Sequence, residues 1–263
     1  MTQALGANDR LTREVEHFDR HYAAETAEGI TPLNDYDRIR YSDPPANTIF
    51  PREYYYHLLS PLKGKEILEI ACGNGKDASI AAVNDAQVYA YDVSEKSVEL
   101  TRRRAGINGV SNNVHVETAA QIDHAFTGRQ FDAIMGYAAL HHLPLENLAQ
   151  QIQHRLKPGG VAVFAEPVIN SKTLNLLRKC IPYALEEMTE DEQPLNNRMI
   201  KQLAKPFDRM VRREFHLTSR IAPLFPNNWP LCVMLHKLDD WLLKIPFMRP
   251  FATVVVFALH RDR

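Results

Sequence analysis

Residues 67–75 read ILEIACGNG, a short apolar segment that runs directly into a glycine-rich loop. The apolar residues predict a buried strand. Gly73 and Gly75 predict a tight loop, because glycine adopts positive φ easily and lets the backbone approach a ligand closely. A helix predicted near KDASIAAV (76–83) would direct free N–H groups and a partial positive charge towards that ligand. We therefore expect a ligand site at this loop.

Strand-like and helix-like segments alternate from this loop to residue 167. Beside the strand at 65–70, further strands are predicted at 87–93, 113–118, 131–137 and 161–167. Helices are predicted between them at 94–107, capped by Ser94, and from about Pro144 to 156. Strands that alternate with helices predict a parallel sheet with both faces covered.

The two ends of the chain follow other patterns. Leu11, Val15, Phe18 and Tyr22 form an amphipathic helical stripe, and Pro51 opens a short helix, PREYYYHLL. Beyond residue 167 we expect helical segments over 171–205, interrupted by prolines. They are followed by a strand at 209–217, an apolar helix at about 229–244 and a β-branched strand at 251–260.

The composition excludes several classes of protein. The 263 residues include 31 basic and 32 acidic residues and three cysteines without a CxxC pair, so we expect no zinc ribbon and no disulfide framework. The net charge of −1 argues against a general nucleic-acid binder. No stretch is apolar enough for a membrane span, and the N-terminus is polar, so we expect a cytoplasmic protein.

Two acidic residues beside the loop decide between cofactors. Asp92 closes the second strand, where its carboxylate can accept both hydroxyl protons of a ribose. Gly73-x-Gly75-x-x-Ala78 formally fits a dinucleotide fingerprint, which would make the protein a dehydrogenase. The charge of Glu69 would repel a pyrophosphate but suits the cationic end of S-adenosylmethionine. Glu69 as a surface residue and Asp92 as a helix cap remain alternatives. We expect Cys72 to be a small buried residue rather than a nucleophile.

Four motifs in this order resemble the class I S-adenosylmethionine-dependent methyltransferases, in the small-molecule branch that includes ubiquinone- and menaquinone-biosynthesis enzymes. They are ILEIACGNG, YAYDVS, FDAIMGYAALHHL and LKPGGVAVFAEP, within about residues 64–167. The resemblance implies an α/β fold with a Rossmann-like, seven-stranded, mostly parallel sheet whose last strand is antiparallel. It divides the chain into an N-terminal helical lid (1–60), a cofactor-binding core (61–167) and a C-terminal part (168–263). That last part holds a helical insertion and the final two strands.

The resemblance also implies roles for individual residues. Glu69, Gly73 and Gly75 would line the methionine end of the cofactor, Asp92 would bind the ribose and Val93 would pack on the adenine. Gly136 and Tyr137 would face the sulfonium, and in the lid Tyr22 or Tyr41 and Arg40 would bind the carboxylate. The chain departs from the family at Ala71, where glycine is frequent, and after strand three, where an aspartate usually binds the adenine amine. There Gln121 could accept the same bond with its amide oxygen.

Methyl transfer from a sulfonium needs mainly alignment and desolvation, and a base only if the nucleophile carries a proton. His141 and His142 are candidate bases, or one of them packs on the cofactor or caps a helix. Glu166 is a second candidate base or a ligand for an amine substrate, or it is structural. We expect no metal site.

The sequence thus predicts a methyltransferase for a small, largely apolar acceptor. We expect oxygen as the acceptor atom and keep nitrogen, carbon and a non-catalytic cofactor-binding module as alternatives. A nucleic-acid or protein substrate is disfavoured by the charge and by GYAALHHL after strand four. The apolar helix at 229–244 would roof the acceptor pocket. A homodimer interface or, given charges of mixed sign, a less favoured shallow membrane contact are its alternatives.

Overall fold

One seven-stranded sheet, with the strand order β3-β2-β1-β4-β5-β7-β6, organises the protein. The structure is a computed structural model that describes residues 12, 15, 16, 18–20, 22, 29–170, 194–225 and 228–262. The strands are β1 (Glu66–Ile70), β2 (Gln87–Asp92), β3 (Val114–Thr118), β4 (Phe131–Tyr137), β5 (Leu156–Pro167), β6 (Arg209–Phe215) and β7 (Val254–His260).

All neighbouring strands except β7 run parallel, and β7 lies antiparallel between β5 and β6. This confirms the predicted sheet, including the antiparallel last strand. β5 begins five residues earlier than predicted, because Leu156 already pairs with Phe131 before a register shift that leads to the main ladder.

The helices flank this sheet. They are α1 (Asp35–Arg40), α2 (Pro51–Leu59), α3 (Lys76–Val83), α4 (Glu95–Ile107), α5 (Leu148–Arg155), α6 (Asn197–Leu203) and α7 (Trp229–Leu242). Short 3-10 helices cover Leu140–His142, Ser219–Leu224 and Pro246–Phe251. The described residues near the N-terminus, among them Phe18 and Tyr22, also have a helical backbone conformation.

Two helix predictions are corrected. The helix expected from Pro144 begins only at Leu148, because the chain first forms the 3-10 turn at Leu140–His142. Of the helical region expected at 171–205, residues 171–193, with Cys180 and Pro182, lie outside the described part, and only Asn197–Leu203 is an α-helix in the rest. Leu11 also lies outside the described residues.

Local sequence explains where the helices α2, α3 and α4, near the glycine loop, begin. Pro51 is at the first position of α2, where its missing N–H costs nothing. The side chain of Ser94 accepts a hydrogen bond from the Ser97 N–H and caps α4. Gly75 precedes α3 in a left-handed conformation with φ of 72°. The turns after β1 and β2 are thereby fixed beside each other.

The two faces of the sheet bury different helices. Ile67 and Tyr55 belong to the core beneath α2 and α3, whereas Leu68 and Ile70 belong to the core beneath α5. Side chains alternate along a strand, so Glu69 faces the same side as Ile67. Its carboxyl group therefore points towards α2 and α3, and this places an acid inside the protein.

Among the described residues, no helix is both long and apolar enough to cross a bilayer.

We predict that Gly75→Ala destabilises the protein far more than Gly109→Ala. Both glycines have φ close to 70°, where an L side chain costs about 1–2 kcal/mol. A Cβ at Gly75 would lie 2.7 Å from the Thr101 Cα. A Cβ at Gly109 would have open space around it, with no described atom beyond its chain neighbours within 4 Å. Overpacking should add about 1–3 kcal/mol at Gly75 only. Urea unfolding measures the difference, and equal losses would contradict the close helix contact.

Candidate active site

A cavity of about 350 Å³ opens at the carboxyl ends of β1, β2 and β4, the expected edge for a ligand in such a sheet. The predicted residues that line it are Tyr22, Glu69, Gly73, Asp92, Tyr137, His141 and His142. The other lining residues are Phe18, Arg52, Ala71, Cys72, Asn74, Lys76, Asp77 and Ala138. One space therefore joins the glycine loop to the histidine pair.

The glycine loop takes its shape from left-handed backbone at three positions. Ala71, Gly73 and Gly75 have φ of 52°, 52° and 72°. Ala71 thus adopts, at some steric cost, the conformation that a glycine at this position would adopt freely. A Cβ on Gly73 would lie 2.6 Å from the Tyr22 hydroxyl. The missing side chain is what allows Tyr22 to approach the loop.

Three carboxyl groups are buried along the wall of the cavity. Glu69, Asp77 and Asp92 are only 4%, 8% and 5% exposed. Among the described residues, Glu69 Oε2 has no hydrogen-bond partner. Burial, reinforced by the charges of Asp77 and Asp92, raises the pKa of Glu69 well above its ordinary value. An acid at this position is costly unless a cation joins it.

Arg52 neutralises one of these acids. Its Nη1 lies 2.9 and 3.1 Å from the two carboxylate oxygens of Asp77, and its guanidinium carbon lies 4.0 Å from the centre of the Tyr137 ring. The Tyr56 hydroxyl donates to Asp77 at 2.6 Å. Asp77 is therefore satisfied within the protein, whereas Glu69 has no ion pair with any described residue.

Asp92 supports the loop from the end of β2. Its two oxygens accept hydrogen bonds from the N–H groups of Gly73 (2.9 Å) and Ser94 (3.0 Å). Burial nevertheless raises the pKa of Asp92. The side-chain cap of α4 is Ser94 rather than Asp92, so the helix-cap alternative does not account for this carboxylate.

Cys72 behaves as a small buried residue. It is 6% exposed, and its Sγ lies 3.5 Å from the Thr101 hydroxyl. Burial raises the pKa of the thiol well above its ordinary value, which is the opposite of what a nucleophilic cysteine requires.

The other end of the cavity holds a histidine fixed by a carboxylate. Glu166 is fully buried and accepts hydrogen bonds from the N–H groups of Ala139 (2.9 Å) and Leu140 (2.8 Å). Its second oxygen lies 2.8 Å from His141 Nδ1. A carboxylate at this position makes Nδ1 the donor and leaves Nε2 as the nitrogen able to accept a proton. Glu166 is not among the residues that line the cavity and lies behind His141, so its place fits the structural role that the sequence left open beside the catalytic one.

His142 lies beside His141, with ring centres 4.0 Å apart. Its ring meets Phe18 edge to face at 5.1 Å. From the same N-terminal helical segment, Asp19 accepts a hydrogen bond from Ser94, and Tyr22 reaches Gly73. These contacts run from one end of the cavity to the other, the position that a lid requires. The described residues hold no group of three His, Cys, Asp or Glu side chains suited to a metal ion.

Two residues expected in the lid lie elsewhere. Arg40 donates to Glu53 at 2.5 Å and its guanidinium lies over Phe50, because Glu53 is one turn into α2 and faces it. Tyr41 is buried against Tyr56, with ring centres 4.9 Å apart. Neither lines the cavity, and both are engaged by other protein groups, so in this structure they are not placed to bind a ligand carboxylate there.

Arg52 is the cation that the sequence reasoning missed. It lies in the first turn of α2, where an arginine is ordinarily expected to be exposed to solvent. The available signal was its spacing from Tyr56, since residues i and i+4 share one face of a helix and the face of Tyr56 is buried.

The remaining predicted residues do not line the cavity. Gly136 is buried, and a Cβ there would lie 3.1 Å from the Phe164 ring. Gln121 is exposed and Val93 is half-buried. Gly75 shapes the loop from the start of α3.

Comparisons with known proteins agree with this geometry. Residues 67–160 match a family model described as a methyltransferase domain. An O-methyltransferase of Penicillium expansum is 35% identical over 112 residues, which cover 42% of this chain and 41% of the relative. A ubiquinone biosynthesis O-methyltransferase of Sinorhizobium fredii is 30% identical over 106 residues, 40% of this chain and 42% of the relative. The chain thus spans about two fifths of the length of these relatives.

A solved structure extends the likeness to the whole fold. The magnesium protoporphyrin IX methyltransferase from Synechocystis PCC 6803, solved with bound S-adenosylhomocysteine, has a TM-score of 0.56 at 14% identity. The alignment covers 95% of this chain and 99% of that one. Together these findings confirm the predicted resemblance to class I small-molecule methyltransferases.

We predict that Glu69→Gln stabilises the free protein, and increasingly so as the pH rises. A carboxyl group whose pKa is raised on folding binds protons more tightly when folded, so stability falls as the pH rises from its ordinary pKa to the raised one. Glu69→Gln should therefore raise the free energy of unfolding by about 1–3 kcal/mol at pH values above the raised pKa, and by little near pH 4.

Urea unfolding at several pH values measures this effect. Glu66→Gln is the matched control on the same strand, because Glu66 pairs with Lys157 at 2.8 Å. A Glu69→Gln protein less stable than wild type at pH 8 would contradict the proposed stability cost of burying the Glu69 carboxyl group.

Proposed function

We propose that this chain, which carries a class I methyltransferase domain, transfers a methyl group from S-adenosylmethionine to a hydroxyl group of a small, largely apolar acceptor. The observation that carries the proposal is the pairing of His141 with buried Glu166 at one end of a cavity whose other end holds Glu69 and Asp92. The O-methyltransferases of Penicillium expansum and Sinorhizobium fredii support oxygen as the acceptor atom.

The residues at the glycine loop fit the cofactor. Glu69 has a buried oxygen to which no described residue donates, which suits an ammonium group, and Asp92 suits the ribose hydroxyls. Arg52 takes the role that Arg40 was expected to have, as the guanidinium for a carboxylate. Tyr22 and Gly73 close the loop around that end, and Tyr137 with neighbouring Gly136 lies towards the sulfonium. Val93 and Gln121 would border the adenine from outside the lined cavity.

The bound cofactor supplies a methyl group already activated on a sulfonium. The chain's own residues align the acceptor and exclude water, with Phe18 and His142 over the cavity. His141 Nε2 accepts the hydroxyl proton of the acceptor as the oxygen attacks. Glu166 holds Nδ1 and stabilises the imidazolium that forms.

The acceptor class follows from the walls near the histidines. Phe18, Tyr137 and Ala138 contribute apolar surface there. Of the two cations in the lining set, Arg52 pairs with Asp77 and is assigned to the cofactor's carboxylate, while Lys76 lies 3.4 Å from Asp37. A small phenol or alcohol without a strong charge suits this end. A non-catalytic module would have no use for a histidine oriented by a buried acid.

We predict that wild-type protein binds S-adenosylhomocysteine and that Asp92→Ala weakens binding by about 1–3 kcal/mol, the cost of losing hydrogen bonds to a charged group. Arg52→Lys should also weaken binding, because a lysine cannot reproduce the bidentate guanidinium geometry. Arg40→Lys is the matched control, since Arg40 does not line the cavity. Isothermal calorimetry measures all four proteins. No binding by the wild type, or tight binding of NAD instead, would exclude the proposed cofactor.

We predict that His141→Gln lowers kcat about 10²- to 10⁴-fold on an acceptor found by screening apolar phenols and alcohols, the usual contribution of a general base. Glu166→Gln should act through His141. Its amide would donate to Nδ1 and leave the proton on Nε2, which abolishes the base. His154→Gln, which changes an exposed histidine of α5 that does not line the cavity, is the control variant.

Full pH–rate profiles give the readout that separates a base from a structural residue. The wild-type rate should fall at low pH with the protonation of one group, and His141→Gln should lack that limb. An unchanged rate and profile in His141→Gln would contradict O-methylation through this base and favour a nitrogen or carbon acceptor.

A further inference from the structure

The helix α7 leaves a row of large apolar side chains uncovered. Met234 and Trp241 are 56% and 62% exposed, and Leu238 between them is 41% exposed. With Lys237 they lie within about 100° of helical arc, and we call these four residues the outer face of α7. Phe247, in the 3-10 helix that follows, is 71% exposed. None of these residues lines the candidate active site, so the expected role of this helix as a roof over that cavity is not seen.

The charges around this face are basic, although the sequence shows both signs. The only acidic residues in 219–251 are Asp239 and Asp240. Asp239 is 3% exposed and accepts hydrogen bonds from the N–H groups of Thr218 and Ser219. Both acids are turned towards the protein, which removes the mixed charge that argued against a membrane contact.

Two basic side chains of the protein neutralise Asp240. Arg213 donates to it at 2.6 Å and Lys244 at 2.9 Å. Lys244 is still 71% exposed, and Lys237 and Arg249 are exposed as well. The outer charge beside the apolar row is therefore positive.

A second, larger cavity of about 630 Å³ adjoins the end of α7. Five cationic side chains line it against the two acids Glu214 and Asp240; they are Lys201, Arg212, Arg213, Lys244 and Arg249. Arg212 pairs with Glu214 at 2.6 Å and donates to Asn197 at 2.9 Å through Nη2, and its buried Nε has no hydrogen-bond partner among the described residues. The surplus of positive charge in a concave site suits an anion with several oxygens, such as a phosphodiester.

We propose that the outer face of α7 docks on an anionic lipid bilayer, with Trp241, Leu238 and Met234 at the acyl boundary and a lipid phosphate in the basic cavity. Tryptophan beside lysine is the composition of helices that lie in the membrane interface. A second copy of the chain fits less well, because a twofold contact would place this positive face against itself. The docking is independent of the methyl-transfer proposal and can be tested without it.

Intrinsic fluorescence reports on this face without a label, because the two tryptophans of the chain, Trp229 and Trp241, both lie in α7. Trp229→Phe leaves Trp241 as the only reporter. Its emission should shift to the blue on vesicles of phosphatidylcholine with about 30% phosphatidylglycerol, and the protein should sediment with them. Pure phosphatidylcholine should give a much weaker shift, and about 0.5 M NaCl should reverse binding by screening.

Variants on the Trp229→Phe background test each component of the face. Lys237→Gln/Lys244→Gln should lower the partition coefficient about 20- to 30-fold, because each basic residue near such a surface contributes about 1 kcal/mol. Met234→Ser/Leu238→Ser should also weaken binding. Arg103→Gln/Ile107→Ser, which changes an exposed basic and an exposed apolar residue of α4, is the matched control and should bind as before.

Three results would overturn the proposal, once circular dichroism shows that the variants fold. The first is the absence of vesicle binding by the parent. The second is a blue shift that follows protein concentration without lipid, together with dimers in sedimentation velocity, which assigns the face to a second copy. The third is binding of glycerol 3-phosphate without binding of vesicles, which assigns the cavity to a free phosphate ester.

Discussion

The burial of three neighbouring carboxyl groups, of which Asp77 pairs with the Arg52 guanidinium, is the constraint on which the site depends. Glu69 points inward because side chains alternate along β1, Asp77 comes from the first turn of α3, and Asp92 closes β2. Arg52 satisfies Asp77, and two N–H groups support Asp92. Within the part of the chain that the structure describes, Glu69 retains a buried oxygen without a partner. The free protein therefore holds an uncompensated acid that a cationic ligand would relieve, a stability cost of the kind found at binding sites.

The same sheet edge separates two kinds of chemistry within one cavity. The carboxyl ends of β1 and β2 collect negative charge, whereas the ends of β4 and β5 place His141 before Glu166. These strands are adjacent in the order β2-β1-β4-β5, so a ligand bound at the first pair reaches the second. The N-terminal helical segment touches both ends through Tyr22 and Phe18. The proposed binding end and the proposed proton-transfer end of the cavity thus share one cover.

The fold was largely predictable because buried parallel strands produce apolar segments that recur between helices, and the loop motifs fixed Glu69, Gly73 and Asp92 at their ends. What escaped prediction depends on contacts between distant residues. The sequence shows Arg40 and Arg52 as equivalent cations beside aromatic residues, and only the packing of α2 sends one to Glu53 and the other to Asp77. Likewise Glu166 shares a strand end with the cavity, yet backbone N–H groups behind His141 hold it. The orientation of Asp239 and Asp240 in α7 was hidden for the same reason.

Proton release on ligand binding tests the central claim most directly. If Glu69 holds a proton in the free protein and becomes charged beside an ammonium group, binding of S-adenosylhomocysteine near neutral pH must expel up to about one proton. Calorimetric titrations in buffers of different ionisation enthalpy count that proton, and Glu69→Gln removes the group responsible. The account predicts release by the wild type that declines as the pH rises and is absent in Glu69→Gln. Binding without proton release between pH 5 and pH 8 would contradict it.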